Sequence, residues 1–393
     1  MVAHVQILAE KINGTSYAAV ISERRLIDLY TDAEKPHPVW GDIYYAKVVS
    51  VHAKQDLAYL DLGKDKQGII HGRHVRLAQM QKNDHKMNIG QLLKPGQMLL
   101  VQVKSEEKPA TALEEMKHAA CTMKIYLAGR YLIYTPVANT VTVSRKIENA
   151  EILKAAQELD GDGGWIIRSC ANQANSALLH KEARRLQHIW ERIQEYKDKA
   201  EDKASIIFAG RTAIERALLD YSDHTEVTHI ETVGDNLYQQ ADKWCAAYAS
   251  DWQKHIHAYP EAEGLFEHHD LLDQIDILSE RQINLPSGGS LVLDHTHAMT
   301  VIDVNSNACP NIVTTNMEAA HEISRQIKLR NLSGIIIVDF INMRLKTDRL
   351  RIASQLEKDL EHDPAAPIVH GFTRLGLVEL TRKRRSAPFH EKS

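Results

Sequence analysis

The chain has 393 residues, enough for about two to four structural units. Apolar residues make up 44% and charged residues 25%, which excludes a mostly disordered chain. The 48 Lys and Arg against 52 Asp and Glu give a net charge of −4, so no overall basic field indicates a nucleic-acid partner. The four cysteines form no C-x-x-C, and no apolar run is long enough for a signal peptide or a membrane span. We therefore expect a cytoplasmic protein of several units without a membrane segment.

The first 124 residues are dominated by short β patterns. Residues 1–35 alternate loosely between apolar and polar, which predicts a few short strands, and Pro36 and Pro38 mark a joint. Residues 41–124 predict further short strands between turn residues, which favours a small antiparallel barrel. This segment has 13 Lys and Arg against 9 Asp and Glu, and Tyr59 lies among its lysines. Such a surface suits single-stranded RNA, although tyrosines on strands are also ordinary core residues.

The middle of the chain is mixed. We predict strands within residues 125–147, a helix over 150–158 and a strand over 165–168. The clearest helix covers residues 174–198, because its apolar positions recur every three or four residues. Arg168 and Ser169 end a strand and could clamp a phosphate, and a surface arginine in a loop is the alternative interpretation.

The last third alternates strands with helices, which is typical of an α/β unit. Residues 290–304 predict a β-hairpin, and Thr315-x-x-Glu318 matches a capping box that should begin a helix. Residues 334–340 are nearly all apolar, which predicts a strand buried on both faces. A helix over 347–360 and a strand over 368–372 follow. The basic run 382–385 either contacts phosphates or is a solvated tail.

Two aspartates at strand positions are the strongest candidates for chemistry. Asp303 lies inside one predicted strand, Asp339 ends the next, and both are expected to be buried. Asn305 points to the same side as Asp303, because it lies two residues further along the strand. Hard oxygen donors of this kind favour Mg²⁺ or Mn²⁺ over zinc. The equally weighted alternative is that each aspartate caps a turn or pairs with an arginine.

Other chemistry is not favoured by the sequence. The histidine pairs, such as His268 and His269, lack the spacing of a metal site and are interpreted as surface or loop residues. No P-loop, G-x-S-x-G or G-x-G-x-x-G is present, which disfavours P-loop NTPases, serine hydrolases and dinucleotide enzymes.

Taken in order, these segments resemble the ribonuclease E/G family of bacterial single-strand endoribonucleases. The densest match comprises LPSGGSLVLD, TVIDVNS, TNMEAAHEISRQIKLRNLSGIIIVDFINM and TRLGLVELTRKR, between residues 285 and 384. Upstream, GDIYYAKVVSVHAKQDLAYLDLGKDKQGII is similar to the family's S1 domain, and YLAGRYLIYTP, VSRKIE and WIIRS are similar to its 5′-sensor region. The order of these motifs makes the resemblance specific.

The resemblance implies an α+β fold of several subdomains. Residues 1–36 and 222–279 would form one RNase H-like subdomain, split by an S1 barrel of the OB type over 37–124 and a 5′-sensor region over 125–221. A DNase I-like α/β catalytic subdomain would follow over residues 280–393.

The resemblance also implies an activity and the residues that carry it. Asp303 and Asp339 would bind Mg²⁺, or Mn²⁺, with Asn305 assisting, and activated water would cleave single-stranded RNA to 5′-phosphate and 3′-hydroxyl ends. The other implied residues have two roles. Tyr59 and Lys117 would bind RNA, whereas Arg168, Ser169, Gly129, Ile133 and Arg374 would bind a 5′-monophosphate.

Four departures from the family pattern bear on these expectations. Ile69 stands where the S1 domain has a second aromatic residue, Asn342 replaces an aspartate in the usual FIDM, and the loop after Ser306 is shortened. These changes motivate the alternative hypothesis, a divergent member that binds RNA without cutting it. The fourth departure is the missing C-x-x-C, so we expect no structural zinc and no zinc-linked tetramer, while a homodimer stays compatible.

Overall fold

A computed structural model describes the part of the chain on which the following sections rest. The described residues are 3–32, 37–75, 87–107, 118–159, 163–223, 225–260, 264–296, 298–307, 309, 311–386 and 388–389. No helix among them is long and apolar enough to cross a membrane.

The bounds of the regular elements are as follows. The strands are β1 (Ala3–Ile12), β2 (Thr15–Ser22), β3 (Arg25–Asp32), β4 (Ile43–His52), β5 (Leu57–Gly63), β6 (Lys66–His71), β7 (Met98–Ser105), β8 (Ala119–Thr122), β9 (Leu127–Ala128), β10 (Leu132–Thr135), β11 (Val141–Val143), β12 (Gly164–Ile167), β13 (Ser205–Phe208), β14 (Thr225–Val233), β15 (Ile256–Tyr259), β16 (Gln282–Asn284), β17 (Ser290–His295), β18 (Met299–Asn305), β19 (Gly334–Asp339), β20 (Ile368–Phe372) and β21 (Val378–Arg382). The α-helices are α1 (Gly72–Val75), α2 (Ile89–Leu92), α3 (Ala150–Glu158), α4 (Ser176–Asp198), α5 (Ala213–Asp220), α6 (Asp235–Tyr248), α7 (Leu265–His268), α8 (Leu271–Asp276), α9 (Ile312–Leu329) and α10 (Lys346–Leu360).

The N-terminal strands form one sheet with two strands that come 190 or more residues later. The order is β15-β14-β1-β2-β3, with β1 parallel to β14 and antiparallel to β2. A tight turn at Asn13 and Gly14 joins β1 to β2, and both residues have positive φ, which suits the right-handed twist of a hairpin. One face of this sheet packs against α5 and α6 around Ile7, Leu218 and Trp244.

The predicted barrel is confirmed, except that one of its strand pairs, β6 with β8, is parallel rather than antiparallel. Strands β4, β5, β6, β8 and β7 pair in that order, and β7 pairs back onto β4, which closes a five-stranded barrel. Its interior holds alternate residues of each strand, such as Val48, Leu60 and Ile70. Strand β13 adds to the edge of β4 beside the closed ring.

Between the barrel and β13 the chain forms a small sheet covered by helices. The sheet order is β11-β12-β10-β9, and α3 and α4 pack on it. The predicted apolar stripe of the long helix is buried at Leu179, Ala183, Leu186 and Ile193. Sequence and structure agree here because a 3.6-residue period fixes the buried face of a helix without reference to its partner.

The last third forms a six-stranded sheet in the order β16-β17-β18-β19-β21-β20. Helices α9 and α10 cover one face, where Ile302, Ile336 and Val338 are buried. The prediction that residues 334–340 are buried on both faces is wrong, because Ile335 on the other face is 44% exposed. A run of isoleucines does not show whether a second layer covers the sheet, and no described element of this chain covers this face at Ile335.

The predicted helix start at Thr315 is also wrong. The helix α9 begins at Ile312, and the Asn311 side chain caps it by accepting from the Thr314 N–H. Thr315 instead donates to the Asn311 carbonyl, and Glu318 accepts from the Ser287 N–H. The pattern that resembled a capping box holds a neighbouring turn against the helix.

The basic run 382–385 is largely structural. Arg382 forms a bidentate, buried ion pair with Asp363. Arg384 donates to Ser105 at the end of a barrel strand (2.6 Å), and Arg385 donates to Asp220 (2.9 Å). These contacts tie the last sheet to the barrel and to the helix that packs on the N-terminal sheet.

Candidate active site

The two candidate carboxylates lie side by side. Asp303 and Asp339 are directly opposite each other in the parallel pair β18–β19, so their Cα atoms are about 4.8 Å apart. Both side chains point to the uncovered face of the sheet and are exposed, which corrects the expectation of burial. The reason is the alternation of the strands, since the neighbours Ile302, Val304 and Val338 take the buried side.

The third predicted residue joins this pair. Asn305 follows Asp303 by two positions on the same face, and its Nδ2 donates to Asp303 Oδ2 (2.8 Å). The amide therefore fixes the orientation of one carboxylate and leaves its own carbonyl oxygen available as a further donor atom.

Buried polar residues of α9 hold the ends of both strands. Asn316 is fully buried, its Nδ2 donates to the Ile341 carbonyl (2.8 Å), and its Oδ1 accepts from the Ile341 N–H (3.1 Å). This amide clip fixes the chain two residues after Asp339. On the other strand, a Cβ on Gly289 would lie 2.8 Å from the Asn305 carbonyl and 2.6 Å from Thr315, so only glycine fits. Neither the Asn316 hydrogen bonds nor the close approach at Gly289 was predicted, because both depend on contacts between distant segments.

The donor set fits a hard divalent ion. Two adjacent carboxylates repel each other unless a cation lies between them. Neither Asp303 nor Asp339 forms an ion pair with any described residue, and the described residues contain no cluster of three or more His, Cys, Asp or Glu that could hold a metal. Two carboxylates and one amide suit Mg²⁺, which usually keeps several waters and takes only one or two protein carboxylates. Water and a phosphate oxygen would complete such a coordination shell.

A second predicted group lies at the end of β12. The Arg168 Nη1 donates to the carbonyls of Gly129 (3.0 Å) and Arg130 (3.1 Å), so the structure brings Arg168 and Gly129 together. Ser169 Oγ donates to a carboxylate oxygen of Asp223 (2.9 Å). An acidic partner for this serine was not predicted, and nothing in the local sequence marks it.

A buried glutamate shapes the turn beside Arg168. The carboxylate of Glu182 accepts from the backbone N–H groups of Arg130, Tyr131 and Leu132, at 2.8–3.1 Å. Burial raises the pKa of Glu182, and these three N–H groups oppose that effect. A Cβ on Gly129 would lie 2.2 Å from the carboxylate, so Gly129 is required by this close approach. The sequence feature that could have revealed a buried Glu182 is its position beside Ala183, on the apolar side of helix α4.

The remaining candidates are spread more widely. Ile133 is partly buried in β10 and pairs with Ala128 and Ile166, and Arg374 is exposed in the turn between β20 and β21. Lys117 lies outside the described residues.

The candidate RNA-binding face of the barrel is aromatic. Tyr59 is partly buried, and its ring makes edge contacts with His52 (5.3 Å between centroids) and His118 (5.8 Å). Ile69 is its direct neighbour in the next strand, where the resemblance predicted an aromatic residue. The two histidine rings stand nearly perpendicular to the Tyr59 ring, at 74° and 86°, and were not predicted.

Comparisons with known proteins show which family the chain belongs to. The model of the Ribonuclease E/G family matches residues 126–385, which is more than half of the chain. Ribonuclease G of Escherichia coli is 32% identical over 398 residues, covering 96% of this chain and 80% of that protein. This chain belongs to the ribonuclease E/G family.

Other members of the ribonuclease E/G family align over a similar extent of this chain. Ribonuclease G of Haemophilus influenzae is 29% identical and covers 97% of this chain and 79% of its own length. Ribonuclease E of Buchnera aphidicola is 29% identical and covers 95% of this chain but 40% of its own length. The mixed α+β fold with a closed barrel is the fold class expected for the family.

Proposed function

We propose that this endoribonuclease of the ribonuclease E/G family cleaves single-stranded RNA with a Mg²⁺ ion held by Asp303 and Asp339. The observation that carries the proposal is the register of the two strands, which places these exposed carboxylates opposite each other. Mn²⁺ has the same preference for oxygen donors and is the expected substitute. The family resemblance supports roles in RNA processing and decay, in the cytoplasm.

The residues of the site divide the work of hydrolysis. When bound, the metal supplies a water of lowered pKa and neutralises negative charge that develops on the phosphate. Asp303 and Asp339 would hold that ion, and the Asn305 amide fixes the orientation of the Asp303 carboxylate. Attack of water on phosphorus with departure of the 3′ oxygen leaves a 5′-phosphate and a 3′-hydroxyl. The uncovered face of the sheet gives an extended RNA strand access to the pair.

The barrel would bind the RNA on one side of the cleaved phosphodiester bond. Tyr59 with His52 and His118 offers ring faces and edges for base stacking, which tolerates many sequences. Ile69 contributes apolar contact where stacking would be stronger with an aromatic ring. Lys117, proposed from the family resemblance, would add a phosphate contact.

We propose that Arg168 recognises a 5′-monophosphate, with Ser169, Gly129, Ile133 and Arg374 around it. The guanidinium is held in place by two backbone carbonyls through one nitrogen, which leaves the rest of the planar group to bind phosphate. The Asp223 carboxylate opposes this function, because it occupies the Ser169 hydroxyl and repels an anion. Preference for 5′-monophosphorylated RNA is therefore expected to be modest.

We also propose a division into subdomains, which the separate sheets support, and helix α5 (Ala213–Asp220) packs on the N-terminal sheet although it lies before residue 222. The N-terminal sheet would be the RNase H-like subdomain (1–36 and 222–279), with the S1 barrel (37–124) and the 5′-sensor region (125–221) inserted. The last sheet with α9 and α10 would be the DNase I-like catalytic subdomain (280–393). A homodimer without a zinc link is the proposed assembly.

The activity is tested with a defined single-stranded RNA and the purified protein. Cleavage that requires Mg²⁺ or Mn²⁺, and gives 5′-phosphate and 3′-hydroxyl ends, supports the proposal. RNA binding without cleavage in either metal would instead favour the divergent, non-cleaving alternative, for which Ile69 and Asn342 are the motivation.

The role of Arg168 is tested by comparing RNA with a 5′-monophosphate and the same RNA with a 5′-hydroxyl. We expect Arg168→Gln to abolish any preference for the monophosphate, and Asp223→Asn to increase it about threefold or more, because a charge–phosphate repulsion of roughly 1 kcal/mol is removed. The ratio of kcat/KM values for the two RNAs is the measurement. An unchanged ratio in both variants would place 5′-end recognition elsewhere.

A further inference from the structure

One surface of the protein gathers basic side chains from four segments that are distant in sequence. We call it the basic patch, and its residues are Arg73, His74, Lys104, Lys124, Lys383 and Arg384. Backbone and side-chain contacts join the segments: Arg384 donates to Ser105, next to Lys104, and the Met123 N–H donates to the His74 carbonyl, next to Lys124. The barrel and the C-terminal segment therefore build the patch together.

Four cations of the basic patch have no carboxylate partner among the described residues. Lys104 Nζ lies 3.4 Å from His74 Nε2, so a partly buried ammonium has a neutral imidazole as its partner. Burial, and then the charges of Arg73, Lys383 and Arg384, lowers the pKa of Lys104. Within the described part of the chain, no carboxylate forms an ion pair with Arg73, Lys104, Lys124 or Lys383. Such a concentration of positive charge is unfavourable unless an anion binds there.

The basic patch continues the aromatic face of the barrel. Tyr59 pairs with Ile69, Ile69 pairs with Ala120, and Ala120 pairs with Ser105, so these residues form one row across four strands. The row is about 14 Å wide, at about 4.8 Å per strand. An irregularity in β7 between Val103 and Ser105 places Lys104 as an extra, outward-facing residue at the end of the row.

The basic patch is also separate from the carboxylate pair. Gly334 pairs with Arg382 at the start of β19, whereas Asp339 ends the same strand. Five residues of strand separate them, which is about 17 Å. Lys383 and Arg384 therefore lie beyond the end of the sheet opposite to the proposed metal site.

We propose that the basic patch binds the phosphate backbone of the RNA substrate as the strand leaves the Tyr59 face of the barrel. This inference rests on the proposed function. Tyr59 and Lys104 stand at the two ends of a row about 14 Å wide along the backbone. An aromatic ring and cationic side chains on one surface are the combination that binds single strands without reading their sequence. The basic patch raises the affinity for long RNA, whereas Asp303 and Asp339 are needed for cleavage.

The test removes three charges from the basic patch and three from elsewhere. The patch variant is Lys104→Ala/Lys124→Ala/Lys383→Ala, and the control is Lys154→Ala/Lys254→Ala/Lys358→Ala, which changes the net charge equally. Binding of an RNA of about 30 nucleotides and one of about 4 nucleotides is measured by fluorescence anisotropy over a salt series, in EDTA to prevent cleavage. Thermal unfolding of each variant shows that it is folded.

We expect the patch variant to bind the long RNA about tenfold more weakly. The slope of log affinity against log salt should fall by about 2, at about 0.7 per lost phosphate contact. The short RNA and the control variant should show neither change. Equal affinity and slope in the patch and control variants would overturn the inference. If the patch variant shows both changes but the wild-type protein does not cleave RNA in Mg²⁺ or Mn²⁺, the proposed function is contradicted and this inference is still supported.

Discussion

At the scale of single residues, the pKa of His74 reflects first its burial and then the charges of the basic patch. Burial, followed by the charges of Lys104, Arg73, Lys124 and His71, lowers the pKa of His74 from 6.5 to about 4. Between these values the unfolded chain binds more protons than the folded chain. The free energy of unfolding should therefore rise with pH from about 4 to 6.5, and this contribution is lost as the pH falls.

The His74→Gln variant tests this pH dependence. Glutamine can still accept from Lys104 but does not titrate, so the rise in stability between pH 4 and 6.5 should become shallower. The urea midpoint across that pH range is the measurement, with His188→Gln on the exposed side of α4 as the control. A slope equal to that of the wild type would show that the imidazole is not held neutral by its surroundings.

The single residues of the site were predictable only in part. The sequence singled out Asp303, Asn305 and Asp339 by their type and by their positions at strand ends. Their exposure was predicted wrongly, because a strand's own residues do not show whether its second face is covered. The amide of Asn316 could not be found at all, since its partner Ile341 is 25 residues away.

At the scale of elements, α9 aligns the two strands that carry the carboxylates. Asn316 fixes the segment after β19, and Thr315 packs against the glycine that approaches Asn305. The helix therefore couples the separation of Asp303 and Asp339 to its own position. A small displacement of either strand end would change how well the pair holds a cation.

We expect Asn316→Leu to lower the free energy of unfolding by about 3 kcal/mol, since it removes both hydrogen bonds of the buried Asn316 amide to the partly buried N–H and carbonyl of Ile341. The variant should also need more Mg²⁺ for half-maximal cleavage, because Asn316 positions Asp339 indirectly. The measurements are urea unfolding and a Mg²⁺ titration of kcat. The control is Asn331→Leu, an amide near the opposite end of β19. It should lose stability without a change in Mg²⁺ dependence, and an equal change in both variants would contradict the positioning role.

Elements were predicted best where one face has a clear period. The helices over 150–158 and 347–360 and the hairpin over 290–304 agree with the structure to within a few residues. The start of α9 was missed because Thr315 and Glu318 serve contacts with a turn rather than the helix end. Helix propensity does not distinguish residues that cap a helix from the same residues holding a neighbouring turn.

At the scale of the whole molecule, buried charged contacts join the sheets. Arg385 connects the end of the six-stranded sheet to Asp220 of α5 and lies 4.1 Å from the ring centre of Trp40. Arg325 of α9 donates to the Leu26 carbonyl in the N-terminal sheet (2.7 Å). Ordinary composition and a net charge of −4 gave no sign of these contacts, which depend on pairings between distant parts of the chain.

The most direct test of the central claim is the cleavage rate after removal of each carboxylate. We expect Asp303→Asn and Asp339→Asn each to lower kcat at least about a hundredfold in Mg²⁺, with the double variant little worse, because the two residues act as one site. Asp294→Asn, which removes an exposed carboxylate paired with Arg281 on the same sheet, is the control and should keep near wild-type activity. Metal-dependent cleavage that persists at the wild-type rate in the double variant would contradict the account.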